Sequence, residues 1–341
     1  MFYKIPLLIK ERPIKHDYAP LKKALILAFI LIVFGIYIHF SQLNQQIVTS
    51  SFTQLNLPDF FWAILTNLGR GWLVFIIIVY FDRSEGKLVA VFIRCLIISA
   101  IVSPLAKNFF SIPRPISVLD KSEIHLIGEA LGSLTSMPSG HSMTAGALMI
   151  ILLMMRPLLT YKNYKRYFIS VICILTCSLI GYSRIAVGAH WPADVLVGFG
   201  IGMIIGCIAI YHEFRQPWAN FLASNGPQIT ISIFQAISVF ILIWSAAENY
   251  DFTMTSFNST KFLYHEEGLA KVLLSLITTL MFFSSIRYAR RKKKLIFSLE
   301  IISLPIAYFL SFLTFFISLF FHFINFIIKM IRKISLKINS K

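Results

Sequence analysis

Charge is scarce in this 341-residue chain, and negative charge scarcest of all. Asp and Glu together number 15 against 32 Lys and Arg, and charged residues make up only 14%. An ordinary soluble domain carries about a quarter. Nowhere do the acidic residues gather into a cluster that would hold Mg²⁺, so no metal and no other cofactor is expected. Cysteine is also sparse: Cys95, Cys173, Cys177 and Cys207 each sit inside an apolar run with no histidine grouped beside them. That pattern argues for packing residues rather than for disulfides or a thiolate metal site. No soluble domain and no internal repeat is visible.

Apolar sequence is what the chain has in excess, with 57% hydrophobic and 15% aromatic residues and a mean hydropathy of +0.74. A globule of this size could not enclose so much, which points to an all-α polytopic transmembrane bundle. The net charge of +17 then has a plain explanation, because Lys and Arg collect in cytoplasmic loops that face anionic headgroups. Nucleic acid is not an expected partner.

Apolar runs fall at roughly 24–40, 60–81, 88–106, 142–159, 167–187, 192–211, 229–247 and 269–286, with a further stretch at 296–328. The first has no small-residue cleavage site after it and reads as a retained helix. It follows a basic N-terminus and precedes "SQLNQQIVTSSFTQLNLPD", a loop with no Lys or Arg. The positive-inside rule therefore puts the N-terminus in the cytoplasm. The basic stretches "RPLLTYKNYKR" and "RYARRKKK" and the short loop "DRSEGK" then all fall on the cytoplasmic side, as alternation requires. Residues 296–328 read as a ninth span, with a hairpin or an interfacial helix as alternatives. This topology leaves three outer regions, 107–141, 183–191 and 248–268.

Two of those regions hold parts suited to a phosphate. "KNFFSIPRP" supplies Lys107 and Arg114, and "SRIAVGAHWPAD" supplies Ser183, Arg184, His190 and Asp194. Arg's planar fork matches phosphoryl oxygens. "PSGH" places Ser139 and Gly140 just before a helix, where backbone N–H groups and the macrodipole favour an anion, and His141 beside them. Pro192 suits a first helical turn, so Asp194 can reach back to a ring nitrogen of His190 and fix its tautomer. Singly, each part has an ordinary reading: a lysine at a span end is usually a snorkelling anchor, and "PSGH" alone marks a helix start. Arg70, in "TNLGRGW", reads as an anchor or the partner of a neighbouring carboxylate.

Together, Lys-x6-Arg-Pro, Pro-Ser-Gly-His and Ser-Arg-x5-His-x3-Asp resemble the signature of the type 2 phosphatidic acid phosphatases at every position, over about residues 60–211. Glucose-6-phosphatases and the soluble vanadium haloperoxidases share that superfamily. The resemblance implies a six-helix catalytic core and metal-independent hydrolysis of a lipid-borne phosphate. It makes His190 the nucleophile that forms a phosphohistidine, oriented by Asp194, and His141 the acid for the leaving oxygen. Lys107, Arg114, Ser139, Gly140 and Arg184 would hold the phosphoryl group; Ser183 belongs to the motif without a separate task.

The implied protein is a lipid phosphatase at the outer face of a bacterial inner membrane. Undecaprenyl diphosphate stands slightly ahead of phosphatidylglycerol phosphate, phosphatidate and the 1-phosphate of lipid A as substrate. A phosphotransferase using the same intermediate, or a transporter reusing the fold, are the alternatives. A peroxidase is disfavoured by the lipid-embedded core, and a transporter by the intact set of reactive residues. The division expected is a core over 1–211 and a membrane extension over 212–341 with two or three further spans. The outer loop 248–268 of that extension either caps the headgroup or connects spans. Asn258-Ser259-Thr260 fits a glycosylation acceptor only in a eukaryotic secretory membrane.

Overall fold

The computed structural model describes residues 18–54, 57–82, 86–120, 127, 135–155, 163–222, 225–248 and 270–285. Within them the chain is helical, in the order α1 (Ala19–His39), α2 (Leu43–Gln54), α3 (Asp59–Leu68), α4 (Gly71–Asp82), α5 (Lys87–Phe110) and α6 (Pro115–Val118). There follow α7 (Gly140–Met154), α8 (Asn163–Ala186), α9 (Pro192–Arg215), α10 (Ala219–Leu222) and α11 (Asn225–Glu248), then α12 (Ala270–Ser285). The basic loops expected on the cytoplasmic side (apart from Asn163–Arg166 and the ends of "DRSEGK"), the 248–268 loop (apart from Glu248) and the 296–328 stretch lie outside the described residues.

Among the described residues, α1, α5, α9 and the Tyr167–Ala186 part of α8 are long and apolar enough to cross a bilayer. The run at 60–81, expected as one span, is instead two helices, α3 and α4, bent by 69°. The cause is local. Asn67 turns its Nδ2 back onto the Ala63 carbonyl at 2.8 Å, and Gly69 and Gly71 flank Arg70 where the helical ladder stops. The run at 142–159 is also shorter than expected. α7 has 15 residues, about 22 Å of rise against a hydrocarbon core of about 30 Å. The stretch without Lys or Arg that reads as an outer loop contains α2, and Ser183 and Arg184 belong to the last turn of α8 rather than to a loop.

α9 is the hub, with 78% of its apolar window buried. It packs against α1, α5, α7 and α8, which keep lipid-facing sides such as Phe29, Ile30 and Phe34 on α1 or Ile101 and Leu105 on α5 exposed. Close approach to α7 requires glycine: a Cβ on Gly202 would lie 2.0 Å from the Met143 carbonyl oxygen, and one on Gly198 would lie 2.6 Å from that of Ser139. Small residues at such crossings let backbones meet where lipid offers no hydrophobic incentive. At one end, Arg94 pairs with Glu213 at 2.9 Å, donates to the Gln216 carbonyl at 2.7 Å and lies 3.9 Å over the Trp218 ring. That cluster locks the start of α5 to the end of α9. At the other end, the C-termini of α5 and α8, the N-termini of α7 and α9 and the α3–α4 elbow converge.

Candidate active site

The convergent end is built outward from the first turn of α9. Trp191 caps the helix, Pro192 occupies its first position, and Asp194 Oδ2 accepts the Trp191 N–H at 2.8 Å. Proline suits this place because its missing N–H would have had no partner there. His190 stands just outside the helix. Its N–H donates to the Arg184 carbonyl at 3.1 Å, a bond made possible by the turn at Gly188 with φ 69°.

The ring of His190 is held from both sides. Nδ1 lies 3.2 Å from Ser136 Oγ and 3.4 Å from Asp194 Oδ2, and the Ser136 hydroxyl itself donates to that same carboxylate oxygen. Nε2 lies 3.2 Å from Arg114 Nη1, which also donates to the Ala189 carbonyl at 2.7 Å. A guanidinium can only donate, so Nε2 must accept and the proton must sit on Nδ1. Burial pushes the His190 pKa well below its ordinary 6.5, reinforced by the charges of Arg184, Arg114, His141 and Lys107. Both effects favour a neutral imidazole whose Nε2 lone pair points into a cationic cluster.

The remaining motif residues surround that lone pair. Arg184, buried at the end of α8, donates to Thr66 Oγ1 on α3. Lys107 is half-buried in the last turn of α5, and its charge reaches both His190 and His141. Ser139 caps α7, its Oγ accepting from Ser142. Its N–H, expected to face an anion, instead donates to the Asp194 carbonyl at 3.1 Å. The reason is the tight α7–α9 crossing, which presses Ser139 onto Gly198. Gly140 is different, since a Cβ built there would meet nothing within 4 Å, so this helix start can be approached closely. His141 follows it, and its Nε2 is buried with no hydrogen-bond partner among the described residues. Ser183 Oγ donates to the Ile180 carbonyl at 2.7 Å and is fully buried, which gives it a packing role.

Three contributors escape a reading of motifs. Ser136 stands two residues before Pro138, Thr66 lies in an apolar run, and Asn44 Oδ1 on α2 accepts the Ala193 N–H at 3.1 Å. The only sequence signal for the elbow was Gly-Arg-Gly interrupting hydrophobic residues. Among the described residues, no group of three or more His, Cys, Asp or Glu could hold a metal ion.

Residues 88–218 match the family model of the PAP2 superfamily. That segment holds all three motifs, from Lys107 to Asp194. Among curated proteins the chain is 23% identical, over 202 residues, to an undecaprenyl-diphosphatase of Sulfolobus acidocaldarius, covering 56% of this chain and 92% of that one. Among solved structures it is similar to the first transmembrane PAP2 type phosphatidylglycerolphosphate phosphatase from Bacillus subtilis. That likeness has 19% identity and a TM-score of 0.46, over 59% of this chain and 98% of the other. The chain is thus similar to membrane phosphatases of PAP2 type over that segment, has several helices long and apolar enough to cross a bilayer, and carries helices such as α11 and α12 beyond the match.

Proposed function

We propose that this protein hydrolyses a lipid-linked diphosphate or phosphate through a phosphohistidine on His190, without a metal, at the outer face of the membrane. The observation that carries the reading is the two-sided hold on His190: Nδ1 on Ser136 and Asp194, Nε2 toward Arg114. A nucleophile needs a lone pair aimed at phosphorus and a proton kept elsewhere, and this arrangement supplies both.

In the first step Nε2 forms a bond to phosphorus as the bond from phosphorus to the leaving oxygen breaks. His141 gives its proton to that oxygen. Arg114, Arg184 and Lys107, with the backbone N–H groups at the start of α7, hold the three equatorial oxygens as charge spreads over them. Ser139 shapes the turn that presents those N–H groups. In the second step His141 takes a proton from water while the hydroxide oxygen attacks phosphorus. The P–N bond breaks and inorganic phosphate leaves with His190 restored.

Undecaprenyl diphosphate is the favoured substrate, supported by the named activity of the Sulfolobus relative. The outer face is supported by the Lys- and Arg-free stretch at 41–59, which α1 delivers to the same end as His190. The test uses the purified full chain with a polyprenyl diphosphate labelled on its terminal phosphorus. Rapid quench in alkali, where phosphohistidine survives, should trap label on the wild type and none on His190→Asn. Phosphate release by that variant should fall by about three orders of magnitude or more. A variant within about tenfold of wild type removes His190 from the nucleophile's role.

A further inference from the structure

The α3–α4 elbow is a part of the site that the three motifs do not contain. Gly69 closes against the acid side of the centre, where a Cβ on it would lie 3.0 Å from both Cβ and Cδ2 of His141 and 2.9 Å from Ile180 Cγ2. Only hydrogen fits there, so the elbow is seated directly on His141. Arg70 is the next residue. It is half-buried, caps α4 by accepting from the N–H groups of Leu73 and Val74 at 3.0 Å, and cannot be carried away without moving the helix.

The contact of Gly69 with His141 sets the elbow, and Arg70 with it, on the acid's side of the centre. The charge of Arg70 acts on His141 together with those of Arg184, Arg114 and Lys107. Under the reaction above, His141 stands where the leaving oxygen departs. In a phosphate monoester that oxygen joins an uncharged alkyl chain. In a diphosphate it joins a second phosphate, whose charge needs a partner of its own.

We infer that Arg70 is a specificity-determining residue, a subsite for the leaving phosphate of a lipid diphosphate. This rests on the assignment of His141 as the acid. Chemically, the bond broken is between the terminal phosphorus and the bridging oxygen, and the leaving group is the lipid monophosphate. Arg70 neutralises charge that this group already carries and that grows as the bridge breaks. It offers nothing comparable to the alkoxide of a monoester, where there are no phosphate oxygens to bind.

The experiment compares farnesyl diphosphate with farnesyl monophosphate on the purified full chain and on Arg70→Gln and Arg70→Lys. A charge-assisted contact of this kind corresponds to about a ten- to hundredfold change. Arg70→Gln should lose about that factor in kcat/KM on the diphosphate and stay within about threefold on the monophosphate, with Arg70→Lys between. An independent measurement needs no variant: methylenebisphosphonate should inhibit the wild type about tenfold more tightly than methylphosphonate. Equal losses on both substrates, or equal inhibition by both phosphonates, overturn the subsite. Should Arg70→Gln not fold, the phosphonate pair alone decides. A wild type that releases phosphate from neither farnesyl compound nor from a polyprenyl diphosphate fails the phosphatase reading itself. A wild type active on both, with Arg70→Gln unchanged, fails only Arg70.

Discussion

Replacing Ser136 with alanine tests whether the two-sided hold on His190 matters to catalysis. The Ser136 hydroxyl is fully buried, donates to Asp194 Oδ2 and lies 3.2 Å from His190 Nδ1. Alanine removes both interactions and adds no bulk. The carboxylate keeps the Trp191 N–H at 2.8 Å, so it is weakened rather than orphaned. One hydrogen bond to a buried charged acceptor is worth about 1.5–3 kcal/mol. At about 1.4 kcal/mol per decade, its full expression in the transition state is roughly a 10- to 150-fold fall in kcat. KM should hardly move, because Arg114, Arg184 and Lys107 still bind the ground state. A merely structural role would instead lower the melting temperature and leave the kcat of the folded fraction intact. The assay is therefore steady-state phosphate release normalised to protein that elutes as a folded species, alongside thermal unfolding. A kcat within twofold of wild type refutes the claim that Ser136 positions the nucleophile.

Other outcomes follow from the same geometry. Thr66→Val, which takes the acceptor from Arg184, should raise KM about three- to tenfold with a smaller effect on kcat; an unchanged KM would separate α3 from phosphate binding. Because burial lowers the His190 pKa, the ring should remain neutral as pH falls through 6.5. Its ¹⁵N resonances should then report a proton on Nδ1, and an imidazolium signal at pH 6 contradicts this. EDTA should leave turnover intact, and Mg²⁺-reversible inhibition would end the metal-free reading. Gly202→Val should unfold the bundle or cost more than about 3 kcal/mol, since its Cβ meets the Met143 backbone at 2.0 Å; normal stability would contradict the α7–α9 crossing. A cysteine at exposed Ser117 should react with an impermeant thiol reagent from outside and one at Asn163 should not, with the reverse placing the site in the cytoplasm.

The sequence made the site legible because its chemistry is local. Lys107, Arg114, Ser139, His141, Arg184, His190 and Asp194 announce themselves by type and spacing, and each lies at or near a helix end where periodicity breaks. What it hid depends on distance in space. Ser136 reaches Asp194 across 58 residues, and Thr66 reaches Arg184 across 118, so no short pattern could connect them. Hydropathy also averaged away the elbow, because Leu, Gly, Trp and Ile on either side of Arg70 still sum to an apolar window. Ser139 misled for a related reason. A helix start does favour an anion, but which N–H stays available is settled by the neighbouring helix, and here α9 takes that of Ser139.

The same contrast bears on the chain beyond the PAP2 match. An expected boundary at 211 falls inside α9, which runs on to Arg215. Further along, Ala270 at the start of α12 is fully buried in one apolar cluster with Trp62, Leu65, Ala186, Val187 and Ala189. Ala189 immediately precedes His190 and accepts from Arg114. Val239, Leu242 and Ile243 of α11, with Leu274 and Phe282 of α12, pack against Leu73 and Ile76 on α4. The extension therefore braces the two elements that sequence reading treated as plain span and loop, the elbow and the His190 turn. An extension packed against the candidate site in this way is expected to act on every substrate alike, through the geometry of His190, Arg114 and the elbow. Selectivity for one lipid has to come from side chains that face the substrate, and the proposed Arg70 subsite lies on the elbow whose α4 arm these helices brace.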